Sequence, residues 1–167
     1  MKKIIIAMVA LVAMVASASA GSLKFDTYIG VGSGTVKGVT FETKSFTATE
    51  YIFGTGMNYT FDNKILIGME LDFGVISQAS ADNVYQSGMD IKAGYNFGPA
   101  ELYAIGNVIE QSSGGLNAYG FGYGCGAQWN AMKHLAIAAE FKTVDMKTEY
   151  SNHYDYETGR LLIKYVY

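Results

Sequence analysis

Charge is scarce in this 167-residue chain. Asp, Glu, Lys and Arg together make up 16% of it, against about 25% in an average soluble domain. Proline occurs once, cysteine once and histidine twice. A lone Cys125 excludes an intramolecular disulfide. No apolar run after the first 16 residues approaches the roughly 20 needed for a membrane-spanning helix. No basic stripe of the kind that tracks nucleic acid is present. What remains is rich in Gly (20 residues) and Tyr (13 residues). Such a composition predicts a β structure with little water-facing surface.

The N-terminus reads as an export signal. "MKKIIIAMVALVAMVASASA" begins with Lys2 and Lys3, continues through an apolar run from Ile4 to about Ala16, and ends Ala18-Ser19-Ala20. That order of basic, apolar and small residues is a secretory signal peptide. The run is too short to serve comfortably as a membrane anchor. The sequence therefore predicts a signal peptide over 1–20 and one β-barrel domain over 21–167. The 147 residues after the signal carry ten basic and fifteen acidic residues, a formal charge of −5.

From Lys24 onward apolar and polar residues alternate with period two, the mark of half-buried strands. Phe25, Thr27, Ile29 and Val31 share one face of the first segment. Tyr51, Phe53, Thr55, Met57 and Tyr59 share one face of the second. Ile65, Ile67, Met69, Leu71 and Phe73 do so in the third, and Tyr85, Met89, Ile91 and Tyr95 in the fourth. The fifth, 101–111, leaves its facing open: one choice buries Asn107 among apolar groups, the other turns Tyr103, Ile105 and Ile109 to the polar side. In the sixth, Tyr119, Phe121, Tyr123, Cys125, Ala127 and Trp129 alternate with Gly120, Gly122, Gly124 and Gly126. The seventh sets Leu135, Ile137, Ala139 and Phe141 against Glu140 and Lys142. The eighth sets Leu161, Ile163, Tyr165 and Tyr167 against Arg160, Leu162, Lys164 and Val166.

Connections alternate in length. Tight turns are expected at Asp62-Asn63, Gly98-Pro99 and Ala131–His134. Longer loops are expected at Ser33–Ser45, Ser77–Val84, Ser112–Asn117 and Asp145–Gly159. This describes an eight-stranded antiparallel up-and-down meander.

The polar face decides which side is out. It is mostly Gly, Ala, Asn and Gln, with charges of both signs, and lacks the many Lys and Glu of a wetted surface. Small residues with balanced charges suit a narrow interior filled by its own side chains. Charges there must pair, because an isolated buried charge is very costly. Six acids (Asp26, Glu50, Glu70, Asp72, Asp90, Glu140) face five bases (Lys24, Lys92, Lys142, Arg160, Lys164). Glu70, Asp72, Asp90, Lys92, Glu140, Lys142, Arg160 and Lys164 are the expected structural ion-pair network. The apolar face is then left for lipid, with Tyr51, Tyr59, Tyr85, Tyr95, Phe97, Tyr119, Trp129, Tyr165 and Tyr167 toward strand ends, where polar-tipped rings suit headgroups. A soluble, ligand-binding periplasmic barrel with the two faces exchanged is the competing arrangement.

The closing "RLLIKYVY" carries the most specific likeness. With the meander, it resembles the small eight-stranded outer-membrane barrels of Gram-negative bacteria, the group that includes OmpX and the membrane domain of OmpA. The resemblance implies a monomeric, non-enzymatic transmembrane barrel in outer-membrane lipid that acts through its loops. It also implies that Leu161, Ile163, Tyr165 and Tyr167 form a C-terminal signal read by the barrel-assembly machinery. Tyr167 and Tyr165 match the aromatic positions and Arg160 the polar one. Leu162 stands where Gly is common, and Tyr replaces the more usual terminal Phe.

Catalytic and ligand motifs are thin. "GSGTVKG" at 32–38 lacks the Gly-Lys-Ser/Thr ending of a phosphate-binding loop. His134 reads as a turn residue. His153 lies near Asp155 and Glu157, a set too small for a metal site. A lipid-modifying enzyme on the same scaffold would need a partner for His153, with Ser112 or Ser113 the nearest choices. No cofactor, metal or nucleic-acid partner is expected.

Overall fold

The computed structural model describes residues 21–37, 46–77, 83–150 and 152–167. The expected signal peptide, 1–20, lies outside them. Eight strands follow in chain order: β1 (Gly21–Lys37), β2 (Phe46–Phe61), β3 (Ile65–Ser77), β4 (Val84–Asn96), β5 (Ala100–Ser113), β6 (Leu116–Met132), β7 (Leu135–Thr148) and β8 (His153–Val166). Each pairs antiparallel with its neighbours, and β8 returns to β1 to close the barrel. Every expected segment is a strand. Closure satisfies both edges of every strand, which an apolar surrounding demands.

Facing follows the alternation. Ile29, Phe53, Phe121, Tyr123, Phe141 and Leu161 are exposed, whereas Asp72, Asp90, Lys92, Lys142 and Arg160 are buried. The outside is the apolar face, so the arrangement with the faces exchanged does not describe this chain. Two aromatic belts girdle it: Tyr51, Tyr85 and Tyr119 at one level, Tyr95, Phe97, Trp129, Tyr165 and Tyr167 at the other, all exposed. Tyr85 and Tyr95 are ten residues apart on β4, as are Tyr119 and Trp129 on β6. At 3.3 Å per residue and the usual barrel tilt, that spacing is about 25 Å, the height of an outer-membrane apolar band. Tyr59 departs from the expected belt. It is 2% exposed and meets the Phe61 ring edge-on, centroids 4.8 Å apart.

At the end holding Gly21 and Tyr167, the turns are short. Lys64 (φ 68°) and Gly98 (φ 98°) adopt the left-handed backbone those turns require. The sixth turn narrows to Lys133-His134. The opposite mouth differs from the expected long loops. Residues 145–148 and 153–159 belong to β7 and β8, leaving only 149–152 between them. Ser33–Lys37 belongs to β1, and the rest of that expected loop, 38–45, lies outside the described residues, as does most of Ser77–Val84. β5 and β6 join through Gly114-Gly115, both with positive φ, as a tight hairpin turn prefers.

These strand extensions invert the membrane pattern. In them Val144, Met146 and Tyr156 point inward, and Asp145, Lys147, His153 and Asp155 point outward. Val36, Ala48, Ile76, Ile109, Ala118, Val144, Met146 and Tyr156 form one apolar cluster inside this mouth. Above its lipid belt the barrel is built like a soluble one.

Candidate functional site: the charged lumen and the chain end

Below the apolar mouth the lumen fills with charge. Alternation delivers the groups: Glu50 on β2, Glu70 and Asp72 on β3, Asp90 and Lys92 on β4, Glu140 and Lys142 on β7, Arg160 and Lys164 on β8 all point inward and are at most 5% exposed. Glycines leave the space they occupy. A Cβ on Gly88 would lie 2.5 Å from Asp72 Oδ1, and one on Gly126 would lie 2.5 Å from the Tyr103 ring.

The ion pairs form one unbroken chain. Arg160 grips Glu50 with two nitrogens, Nε to Oε2 at 3.0 Å and Nη2 to Oε1 at 2.5 Å. Its Nη1 donates to Asp72 Oδ2 at 2.7 Å. Lys142 lies 3.6 Å from Asp72 and 3.6 Å from Glu140, and donates to Asp90. Lys92 bridges Glu140 at 2.6 Å and Glu70 at 2.7 Å. Lys164 donates to Glu70 and lies 3.9 Å from Asp26. All eight residues expected in the network therefore meet in one assembly. Bidentate and charge-assisted bonds of this kind are the strong ones.

Neutral donors complete it. Gln86 Nε2 (2.5 Å) and Thr158 Oγ1 (2.8 Å) donate to Glu50, and the Tyr103 hydroxyl donates to Glu140 at 2.9 Å. Asn58 Nδ2 donates to Asp26 at 2.8 Å. Toward the chain termini, Glu101 accepts from Asn96 (3.0 Å), Gln128 (3.3 Å) and Asn130 (3.3 Å).

Glu50 and Asp26 share the lumen face in the sequence but were not among the eight. Their place on the polar face of β1 and β2, opposite Phe25 and Tyr51, is the signal that adds them. Glu101 was hidden by the open facing of the fifth segment. That strand turns Glu101, Tyr103, Ile105, Asn107, Ile109 and Gln111 inward. Lys24 is only half-buried and forms no ion pair among the described residues. The expected near balance is thus replaced by seven buried acids (Asp26, Glu50, Glu70, Asp72, Asp90, Glu101, Glu140) against four buried bases (Lys92, Lys142, Arg160, Lys164).

Glu70, Asp90 and Glu140 bring one oxygen each within 4.8 Å of one another, close enough to share a cation. Lys92 and Lys142 already supply positive charge there. At the mouth, His153 Nδ1 lies 3.4 Å from Asp145 Oδ1, with both groups exposed. Ser113 donates instead to the Asn83 carbonyl at 3.4 Å, and neither Ser112 nor Ser113 hydrogen-bonds His153. Ser113 and His153 both line a mouth cavity of about 390 Å³.

Leu161, Ile163, Tyr165 and Tyr167 are all more than half exposed, on the apolar outer face. Tyr167 N donates to Phe25 O at 2.8 Å, sealing the end of β8 onto β1.

Known proteins show the same shape. Over 84% of this chain and 96% of the other, the structure superposes on Neisserial surface protein A with a TM-score of 0.60 and 10% identity. With Ail, the attachment invasion locus protein of Yersinia pestis, solved in complex with the heparin analogue sucrose octasulfate, the TM-score is 0.55 at 13% identity, over 87% of this chain and 99% of that one. No curated protein sequence matches the chain. Residues 5–167 match the family described as outer membrane protein beta-barrel domain. The chain belongs to that family, and its closed eight-stranded barrel is an outer-membrane barrel.

Proposed function

We propose that this barrel is a non-enzymatic surface protein, exported through its signal peptide, that works through its outward-facing mouth in adhesion, recognition or envelope integrity. The observation that carries this reading is the filled lumen. Ten charged side chains bridge it from Glu50 to Asp26. An eight-stranded barrel has interior room only for its side chains, so large solutes have no path. In this reading the network is structural, and chemistry with partners moves to the strand extensions and their connections. The attachment role in the name of Ail agrees with such a surface role. The four exposed residues Leu161, Ile163, Tyr165 and Tyr167 act earlier, as the segment that the barrel-assembly machinery reads. The mature protein is a monomer in outer-membrane lipid.

The test compares cells with and without the protein, and cells in which 149–152 is replaced by a Gly-Ser linker of equal length. Reduced adherence or increased envelope permeability, with the barrel still present in the outer membrane, is the expected result. Lipid A that changes in mass when the protein is expressed would overturn the non-enzymatic reading.

A further inference from the structure

His134 stands in the Lys133-His134 turn and has no part in the lumen. Its contacts all go to the end of β8. The His134 carbonyl accepts from Val166 N at 3.0 Å. Its ring Nδ1 lies 2.8 Å from Val166 O. Its ring stacks on Tyr165, centroids 5.7 Å apart and planes 18° from parallel. Tyr165 in turn meets Tyr167 edge-on at 5.0 Å.

The β7–β8 ladder explains the ring's position. Leu135 pairs with Tyr165, the last register pair of these strands. The next rung would join His134 to Val166. Half of that rung is backbone, from Val166 N to His134 O. The other half is made by the imidazole. A carbonyl oxygen only accepts, so Nδ1 is the donor. The imidazole N–H thus replaces a ladder N–H that the turning backbone cannot offer. A register shift between Asn130 and Met132 precedes the turn, and such bulges re-aim nearby side chains.

We infer that His134 is a positioning residue that caps the last strand on its β7 side and withdraws the C-terminal assembly segment from its reader once the β7–β8 hairpin is paired to its end. This rests on the reading of Leu161–Tyr167 as an assembly signal. A protein that reads the segment as a strand must offer an unpaired β edge and a site for aromatic rings. His134 satisfies both demands within the chain. Its carbonyl and ring take the Val166 backbone, and its ring covers Tyr165. Folding then competes directly with the reader for the same atoms.

Two variants separate the contacts. H134A removes both the ring bond and the stacking. H134N restores an N–H donor at the δ position without the aromatic face. Amide exchange at Val166 and Tyr167 is followed in the folded barrel. Retention on the assembly machinery is followed by pulse-chase co-purification. In H134A both amides keep their own acceptors, the His134 and Phe25 carbonyls, so exchange is expected to rise on the order of tenfold through fraying of the strand end that the lost ring bond, about one hydrogen bond, had held. Retention of the newly made chain is expected to lengthen. H134N is expected to recover the exchange protection but not all of the release.

Unchanged exchange in H134A overturns the cap. Faster exchange with unchanged retention overturns the withdrawal. Should H134A fail to close, H134N carries the comparison: slow exchange with prolonged retention supports the inference, and wild-type retention overturns it. Removal of Tyr165–Tyr167 without any loss of assembly defeats the signal itself, a failure that the exchange data do not share.

Discussion

Arg160 on β8 reaches over Gly32 of the intervening β1 to Glu50 on β2, 110 residues away in sequence, and holds both of its carboxylate oxygens. Its register neighbour on β7 is Glu140, yet the guanidinium bonds to Glu50 and Asp72. The bidentate pairing therefore skips one strand along the wall, passing over Gly32, the register partner of both residues. R160A leaves Glu50 buried without a cation and Asp72 with only Lys142, 3.6 Å away. Breaking a buried pair in this way costs about 3–5 kcal/mol. Urea unfolding in detergent micelles should show the loss, and unchanged unfolding would remove Arg160 from the network's support.

Lys142 stands among Asp72, Asp90 and Glu140. K142M should be severely destabilising, because Asp90 then lies buried without its cation, beside Asp72 and Glu140, which keep only Arg160 and Lys92. Adding D90N to K142M should recover part of the loss. Non-additive unfolding energies in the double-mutant cycle are the expected signature; strict additivity would mean that the two groups do not interact.

Glycine positions on the two faces should respond in opposite ways. A methyl on Gly88 would fall 2.5 Å from Asp72 Oδ1, whereas one on Gly106 meets nothing within 4 Å. G88A should cost about 1–3 kcal/mol as an overpacked site. G106A should be neutral or gain up to about 1 kcal/mol, since Gly weakens a strand interior. Equal effects at both sites would show that the lumen is loosely packed.

Deletion of Tyr165–Tyr167 should leave the protein in the periplasm. It removes the Tyr167–Phe25 bond as well as two of the four segment residues. Envelope fractionation reads the outcome, and normal outer-membrane levels would contradict the assembly role.

The membrane half of the fold was legible because lipid and lumen impose opposite chemistry on alternate residues. Phe121, Tyr123 and Cys125 against Gly120, Gly122 and Gly124 left no doubt about β6. β5 was illegible because its inward face mixes Tyr103, Ile105 and Ile109 with Glu101 and Asn107. The lumen accepts apolar groups where they pack: Ile109 joins the mouth cluster, and the Tyr103 ring lies under Lys92 Nζ at 4.4 Å. The ends of β7 and β8 read as a loop for a related reason. Beyond the lipid the outer face is wetted by Asp145, Lys147 and Asp155 while the inner face turns apolar, so the phase of the pattern flips and the alternation seems to stop. His134 carried no signal, since its role depends on a contact 32 residues away.

The pairing of Asp26 with Val166 joins the two ends of the barrel sequence. Every other wall of the barrel is a local hairpin, which closes with little loss of chain entropy. This one has a contact order close to the chain length, and it must wait for the final strand. Until β8 is delivered, β1 keeps an unsatisfied edge, and the partly made chain offers a template for aggregation. The topology thus forbids closure while the chain is still emerging. The barrel therefore stays open until its last strand arrives, as a requirement of the architecture.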